Sequence, residues 1–260
     1  MTSLDQDALR AALPGWARVD VVAETGSTNA DLVAAAADAP DRTVLVAEHQ
    51  HAGRGRLARS WNSPPGSGLT FSVLLRPSGV PQDRFGWLPL LAGLALTGAV
   101  RGLTDAPCGL KWPNDLLLGD GQRKVAGILA EVADPVAPAI VVGIGINVAA
   151  APPDEPGATC LAEYVAGADR AGVLVAVLRR LAEREHAWHG RAGEPGPLRA
   201  DYRAACLTLG SPVRVTMPGT GYVDGIAEDV DVDGRLLVLE PGGRRRAMAA
   251  GDVTHVRPVP

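Results

Sequence analysis

The chain has 260 residues, of which 47% are hydrophobic and 21% are charged, and its formal net charge at pH 7 is −4. This composition is ordinary for a globular protein, and the length allows one large domain or a large domain with a small one. The acidic balance argues against a protein that coats nucleic acid, so we expect no nucleic-acid partner.

The cysteines, the N-terminus and the apolar segments exclude several other classes. The three cysteines lie far apart, at positions 108, 160 and 206, and predict neither a disulfide framework nor a zinc site. Residues 1–13 contain two aspartates and no long apolar run, so they do not look like a signal peptide. The most apolar segment, residues 87–100, is too short to span a bilayer. We therefore expect a cytoplasmic protein with no membrane partner.

The first predicted elements surround a polar junction. A short amphipathic helix lies within residues 1–18, a strand follows over 19–23, and an alanine-rich helix ends before Pro40. Between that strand and the second helix, Thr25, Ser27 and Thr28 are all residue types that cap helix N-termini. The junction is either a simple helix cap or a site that presents hydroxyls and a positive helix end to a ligand.

The next segment, residues 48–61, follows an apolar strand over 43–47 and departs from every secondary-structure period. Its arginines alternate with glycines, which let the backbone approach a ligand closely. Arginine offers a planar, permanently charged fork that matches phosphate or carboxylate. The pattern predicts an anion-binding loop that becomes ordered with its ligand. A solvated surface loop and an RNA-contacting tract are the alternatives.

The remaining elements suggest two domains. Apolar runs and turn signals predict a strand at 69–75, a long helix at 84–103 and a hairpin of 110–118 with 123–132. A further strand follows at 139–148, and then two helices at 168–188 and 197–205. Pro113 lacks an amide donor and should lie at a strand edge or bulge. Beyond residue 211, short β-rich runs alternate with turn signals at 218–219, 224–225, 233–234 and 242–243, which predicts a small β-barrel or sandwich. We place the domains at 1–209 and 210–260.

Five polar or glycine-rich motifs carry a family resemblance. They are Gly-Ser-Thr-Asn at 26–29, Glu-His-Gln-His-Ala-Gly-Arg-Gly-Arg at 48–56, Lys-Trp-Pro-Asn-Asp at 111–115, Lys-Val-Ala-Gly-Ile-Leu-Ala-Glu at 124–131 and Gly-Ile-Gly-Ile-Asn at 143–147. In this order they closely resemble the motifs of the biotin protein ligases. The resemblance is strong over about residues 20–150 and weak over the C-terminal β-rich part.

The resemblance implies a fold and a reaction. The fold is α+β, with a mixed β-sheet catalytic domain flanked by helices, as in biotin and lipoate ligases, and a small C-terminal SH3-like β-barrel. The reaction has two steps: biotin attacks the α-phosphate of ATP, with Mg²⁺, to give biotinyl-5′-AMP, and a lysine of a biotin carboxyl carrier domain then accepts the biotinyl group. That domain, part of a biotin-dependent carboxylase, is the implied partner.

The resemblance also assigns roles to residues. Lys124, Arg56 and Asp115 are the implied catalytic residues, with Asp115 assisting the metal–phosphate site and acyl transfer. Biotin contacts are implied for Ser27, Thr28, Asn29, Gln50, Gly53, Arg54, Gly55, Arg56, Lys124 and Gly127. Adenylate contacts are implied for Arg54, Arg56, Arg59, Trp61, Lys124 and Asn147, with adenine against Trp61. No protein metal site is implied, and we interpret all five histidines as surface or structural residues.

Two adjacent positions depart from the family pattern. Leu57-Ala58 stands where many relatives have arginine or histidine followed by glycine, and alanine adopts positive φ less readily than glycine. Loop closure is therefore expected to differ in detail, while Arg59 is retained.

Other activities remain as alternatives. A lipoate or octanoate ligase of the same fold is disfavoured because its glycine-rich signature is absent. A non-catalytic biotin-binding regulator would not need charges that face an adenylate. About twenty residues precede the first strand, too few for a DNA-binding helix-turn-helix module, so we expect a monofunctional ligase.

Overall fold

A computed structural model describes residues 3–134, 136–155, 157–217, 221–249 and 251–255. The helices are α1 (Gln6–Ala12), α2 (Thr28–Ala35), α3 (Trp87–Arg101), α4 (Arg170–His189) and α5 (Pro197–Ala205). The strands are β1 (Arg18–Thr25), β2 (Thr43–Gln50), β3 (Gly68–Leu75), β4 (Cys108–Lys111), β5 (Asp115–Leu118), β6 (Arg123–Asp134), β7 (Ala139–Asn147), β8 (Pro212–Met217), β9 (Gly221–Val230), β10 (Leu236–Leu239), β11 (Arg245–Met248) and β12 (Asp252–His255).

Seven strands form a mixed sheet in the order β1-β2-β3-β7-β6-β5-β4. β1 and β2 pair in parallel, and α2 is the connection between them. All other neighbours in this sheet are antiparallel. The predicted α+β class with a mixed sheet is confirmed.

The large sheet packs against α3, whose sequence is apolar over almost its whole length. Leu90, Leu94 and other α3 side chains are buried because the helix lies between the sheet and α4. α4 begins at the N-cap residue Asp169, whose carboxylate accepts hydrogen bonds from two amides of its first turn. Because α3 and α4 cover one face of the sheet, the other face, against which α2 packs, is where a site can form.

The segment 110–118 differs from the prediction of one strand. It forms a hairpin of β4 and β5, and Pro113, which follows a cis peptide bond, lies in the turn between them rather than at a strand edge. The hairpin of β5 and β6 predicted around the turn at 119–121 is confirmed.

The C-terminal strands form a five-stranded antiparallel sheet in the order β11-β10-β9-β8-β12. This arrangement is consistent with a small SH3-like domain. Within the described ranges its outer strands, β11 and β12, do not pair with each other, so the sheet is open rather than a closed barrel.

The turn predicted at 224–225 is wrong, because both residues lie inside β9. Gly225 is needed there for close approach of strands: a Cβ atom would lie 2.3 Å from the Leu239 carbonyl oxygen. The turns at 233–234 and 242–243 are present. The one predicted at 218–219 lies outside the described residues.

Two tryptophans join the C-terminal sheet to the larger part of the molecule. The indole of Trp87 donates to the Val232 carbonyl at 2.9 Å, and that of Trp112 donates to the Gly234 carbonyl at 3.3 Å. Apolar side chains of both parts belong to one continuous core. The domain boundary between residues 209 and 210 stays a prediction.

None of the helices in the described ranges combines the length and apolar character that a membrane crossing requires.

Candidate functional site

A cavity of about 490 Å³ lies over the middle of β3, β6 and β7, between the loop that follows β2 and strand β12. The sequence-predicted residues that line it are Ser27, Thr28, Asn29, Gln50, Arg54, Gly55, Arg56, Arg59, Trp61, Asp115, Lys124 and Gly127. Gly53 and Asn147 do not line this cavity. With Gly143 and Gly145 of β7, the cavity combines residues from all five sequence motifs named above.

The neutral end of the cavity is built on the N-terminus of α2. Ser27 is the N-cap, and its hydroxyl oxygen accepts the Ala30 amide at 3.4 Å. The Gln50 carbonyl oxygen accepts the backbone amide of Thr28 at 2.8 Å and lies 3.0 Å from its hydroxyl. Because β2 runs parallel to β1, Gln50 is in register with Thr25, and its side chain reaches the helix start. The junction is both a helix cap and part of the cavity wall.

Ser72 on β3 connects these groups, and the sequence analysis missed it. Its hydroxyl lies 2.6 Å from Asn29 Oδ1 and 2.7 Å from the Thr28 hydroxyl. Asn29 Nδ2 donates to the Leu129 carbonyl at 3.1 Å and to Glu131 at 2.7 Å, so Oδ1 is an acceptor and Ser72 donates to it. Thr70 and Ser72 are hydroxyl residues in the mainly apolar sequence of β3, which was the available sequence signal.

That donation determines how the hydroxyl protons are used in the hydrogen-bond network of Thr28, Ser72 and Asn29. Ser72 has one proton and gives it to Asn29, so the single proton of the Thr28 hydroxyl is used within this network, toward Gln50 Oε1 or Ser72. Toward the cavity, the Thr28 hydroxyl can then only accept a hydrogen bond. The Ser27 hydroxyl, which accepts from its helix, keeps a proton to donate.

Glycines shape the cavity floor. A Cβ atom on Gly143 would lie 2.1 Å from Asn29 Oδ1, and one on Gly145 would lie 2.3 Å from the Trp61 ring. Side chains at these two positions of β7 would displace Asn29 and Trp61. The Gly-Ile-Gly motif therefore makes room for those two residues.

The centre of the cavity holds an ion pair. Lys124 Nζ lies 2.9 Å from Asp115 Oδ1, and it lies 5.7 Å from the centroid of the Trp61 ring. Both charged side chains are partly buried, which strengthens their attraction relative to an exposed pair. β5 and β6 are neighbouring antiparallel strands, and their pairing brings the two residues together.

The loop at residues 53–60, here called the arginine loop, is folded on itself. The Gly55 amide donates to the Arg59 carbonyl at 2.7 Å, and the Trp61 amide donates to the Gly53 carbonyl at 2.8 Å. Gly53 allows this approach, since a Cβ atom there would lie 2.3 Å from the Trp61 carbonyl oxygen. At the departure from the family pattern, the positive φ of 54° falls on Leu57 rather than on the residue after it.

The C-terminal strand β12 contributes side chains that sequence reasoning did not assign to the site. Arg59 forms an ion pair with Asp252, and Arg56 donates to the Gly251 carbonyl at 3.0 Å. Burial lowers the pKa of the Arg56 guanidinium, an effect that Asp252 and Asp115 oppose. These contacts join residues almost two hundred positions apart, so no local sequence pattern predicts them.

His255, which we interpreted with the other histidines as a surface or structural residue, lines the cavity. Its Nε2 lies 3.2 Å from the Thr208 hydroxyl. Burial lowers the pKa of His255, and the nearby positive charge of Lys111 lowers it further. The imidazole is therefore biased toward its neutral form.

Asn147 lies at the end of β7 with 1% of its surface exposed. Its amide nitrogen donates to the Thr159 carbonyl at 3.0 Å, while its Oδ1 has no partner within the described ranges. Its role toward an adenine stays a prediction.

The cavity contains carboxylates but no ready-made metal cage. No group of three or more His, Cys, Asp or Glu residues in the described parts of the chain could hold a metal ion. Asp115, Glu155 and Asp252 line the cavity separately. This donor set fits Mg²⁺ that is bound mainly through substrate phosphates, with one or two carboxylates.

Comparisons with known proteins agree with this geometry. Residues 22–147 match the model of the biotin/lipoate A/B protein ligase family, and residues 208–256 match that of the biotin protein ligase C-terminal domain. The chain is similar to a biotin–[acetyl-CoA-carboxylase] ligase of Mycobacterium tuberculosis, with 48% identity over 97% of this chain and 94% of that protein. It is also similar to the bifunctional ligase/repressor BirA of Bacillus subtilis, with 34% identity over 89% of this chain and 71% of that protein.

A solved structure of a biotin protein ligase has a similar fold. The chain superposes on the biotin protein ligase from Aquifex aeolicus in complex with biotin and ATP with a TM-score of 0.78. The match has 31% identity and covers 93% of this chain and 100% of the other.

Proposed function

Because the chain belongs to the biotin protein ligase family, we propose that it activates biotin with ATP and transfers the biotinyl group to a protein lysine. The intermediate is biotinyl-5′-AMP, and the acceptor is a biotin carboxyl carrier domain. The observation that carries this proposal is the division of one cavity: a neutral, hydrogen-bonding end meets a cationic end at Lys124.

The neutral end suits the ureido ring of biotin, which offers a carbonyl oxygen and N–H groups. The Ser27 hydroxyl retains a proton that it can donate to the carbonyl. The Thr28 hydroxyl, whose proton is used toward Gln50 or Ser72, is available to accept from an N–H group. Gln50 and Asn29 fix these hydroxyls through the network beneath them. This donor and acceptor order is complementary to a ureido group.

The cationic end suits the meeting of two anions, a carboxylate and a triphosphate. Lys124, Arg54, Arg56 and Arg59 line this part of the cavity and can screen the repulsion between them. In the first step a biotin carboxylate oxygen bonds to the α-phosphorus, and the bond from that phosphorus to the bridging oxygen breaks. Pyrophosphate leaves with the electron pair. Such a displacement depends on positioning and charge stabilisation rather than on a protein nucleophile.

Asp115 and Asp252 are the carboxylates that would hold Mg²⁺ together with the substrate phosphates. When bound, the metal would neutralise phosphate charge. Within the chain itself, Asp115 orients the Lys124 ammonium at 2.9 Å. Trp61 offers its ring to the adenine.

In the second step the acceptor lysine attacks the acyl carbon of the mixed anhydride. The new nitrogen–carbon bond forms as the bond from that carbon to the AMP oxygen breaks, and the attacking amine loses a proton. The carrier domain of acetyl-CoA carboxylase is the partner that we propose, because the relative from Mycobacterium tuberculosis is named for that acceptor.

Pyrophosphate release with Mg·ATP tests the first step. We expect release with biotin, and none with lipoate or without an acid. Release that requires lipoate would favour a lipoate ligase of the same fold. Biotin binding without release would favour a non-catalytic regulator and contradict the proposal.

A further inference from the structure

Arginine supplies almost all of the positively charged side chains of this protein. Of its 25 lysine and arginine residues, only Lys111 and Lys124 are lysines. Both lysines line the same cavity. Lysine and arginine differ in geometry: lysine presents a compact, movable point charge, whereas arginine presents a rigid planar fork. The role of Lys124 follows from the proposed function, and that of Lys111 does not.

Lys111 ends β4, directly across the hairpin from Asp115. The Asp115 carboxylate is engaged by Lys124, and the side chain of Lys111 has no hydrogen bond or ion pair in the described parts of the chain. It is partly buried and faces the cavity. A partly buried cation without a counter-charge is complementary to an anionic ligand.

Of the four other lysines and arginines that line the cavity, Arg54 is exposed and the remaining three are already engaged. Lys124 pairs with Asp115, Arg59 pairs with Asp252, and Arg56 donates to the Gly251 carbonyl. The ring of Trp61 lies over Gly127 and Gly145, on the floor of the cavity. In the proposed function, adenine packs against Trp61 and the α-phosphate lies at Lys124. The β- and γ-phosphates would then lie on the side of the cavity formed by β4 and β12.

His255 of β12 lies on that same side. Lys111 and His255 both line the cavity, the charge of Lys111 lowers the pKa of the imidazole, and the Thr208 hydroxyl lies 3.2 Å from its Nε2. A neutral imidazole can form a hydrogen bond with a phosphate oxygen without adding a fixed charge.

We propose that Lys111, assisted by His255, binds the β- and γ-phosphates of ATP and holds pyrophosphate as it leaves. This inference rests on the proposed function and adds a subsite to it. The bond that breaks joins the α-phosphorus to the bridging oxygen, so the negative charge that develops falls on the group at Lys111. Stabilising that charge assists the first step alone, because the second step contains no pyrophosphate.

Measuring adenylate formation and biotinyl transfer separately distinguishes a role of Lys111 in phosphate binding from a general effect on the site. In the full-length chain, Lys111→Met removes the charge while keeping the side-chain length, and Lys111→Arg keeps the charge. The matched control is Arg244→Met, which removes an exposed cation outside the cavity. For each variant, the measurements are the KM for ATP, inhibition of adenylate formation by inorganic pyrophosphate, and single-turnover transfer from preformed biotinyl-5′-AMP.

For Lys111→Met we expect the KM for ATP and the inhibition constant of pyrophosphate each to rise on the order of ten- to a hundredfold, as for loss of a charge-assisted hydrogen bond. Lys111→Arg should retain most of the pyrophosphate inhibition. Transfer from preformed adenylate and the affinity for biotin should equal those of the wild type, which also shows that the variant is folded.

Unchanged pyrophosphate inhibition in Lys111→Met would overturn the inference while leaving the proposed function intact. Equal losses in both half-reactions would also overturn it, because Lys111 would then act on the adenylate. Wild-type protein that releases no pyrophosphate from biotin and ATP would instead overturn the proposed function, and the inference with it.

Discussion

At the scale of single residues, the neutral end of the cavity depends on one buried hydroxyl. Ser72 is fully buried and links Thr28 to Asn29. The motif at 26–29 could be found in the sequence, because the functional residues are contiguous there. Ser72 could not be assigned in the same way, since its partners lie more than 40 positions away. Its contacts arise only when β3 packs against α2.

Replacing Ser72 should weaken biotin binding more than it slows chemistry. Ser72→Ala leaves the buried Asn29 Oδ1 without its donor, which costs about 1–3 kcal/mol. We expect the dissociation constant for biotin to rise on the order of tenfold, with a rate at saturating biotin close to that of the wild type. Calorimetric titration and steady-state kinetics measure the two effects, with exposed Ser78→Ala as control. Unaltered biotin affinity would show that the network does not hold Thr28 and Asn29 in place.

Replacing Lys124 should impair catalysis itself. Its ammonium is preorganised by Asp115, so Lys124→Ala removes a fixed charge from the reaction centre. We expect adenylate formation to slow by a factor on the order of 10²–10³. The circular dichroism spectrum should stay that of the wild type. Near-normal turnover in a folded variant would be incompatible with the role assigned to this lysine.

His255 should make stability depend on pH. Its pKa in the folded protein lies below the ordinary value of 6.5, so the unfolded chain binds the proton more readily. The stability from the neutral imidazole is present above about pH 6.5 and is lost as the pH falls through and below that value. In urea unfolding at several pH values, the free energy of unfolding should fall more steeply with decreasing pH for the wild type than for His255→Gln. Parallel pH profiles would mean that the pKa of His255 is not lowered.

At the scale of elements, the sequence predicted the arginine loop but not its contacts. Glycines and arginines in an aperiodic segment indicated a ligand-binding loop, and it lines the cavity. Its attachment to Gly251 and Asp252 depends on how the C-terminal sheet docks, which no local pattern encodes. The predicted turn at 224–225 failed for a related reason. Aspartate followed by glycine indicates a turn locally, but Gly225 lies in β9 because β10 approaches it closely.

Residues 53–60 should become more protected when the site is filled. Few internal hydrogen bonds hold the loop, and its arginines repel one another when no anion is present. Amide hydrogen exchange should slow in this segment on addition of biotin and ATP, while β3 stays unchanged. Equal exchange rates in the two states would show that the loop is fully ordered without ligand. If ordering occurs, the measured affinity includes its entropy cost.

At the scale of the whole molecule, the C-terminal sheet completes the cavity rather than standing apart from it. The indoles of Trp87 and Trp112 bond to its backbone, and β12 supplies Asp252 and His255 to the site. Composition and turn spacing were sufficient to predict a separate β-rich unit after residue 210. They could not predict that this unit lines the cavity, because that depends on packing across the predicted boundary.

The most direct test of the account is mass spectrometry of an acceptor. A biotin carboxyl carrier domain is incubated with the full-length chain, biotin and Mg·ATP, then digested and mapped. The account predicts the addition of one biotinyl group on one lysine of the acceptor, and none when ATP is omitted or when Lys124→Ala replaces the wild type over a short incubation. An acceptor whose mass does not change with active, folded protein would contradict the proposed ligase activity.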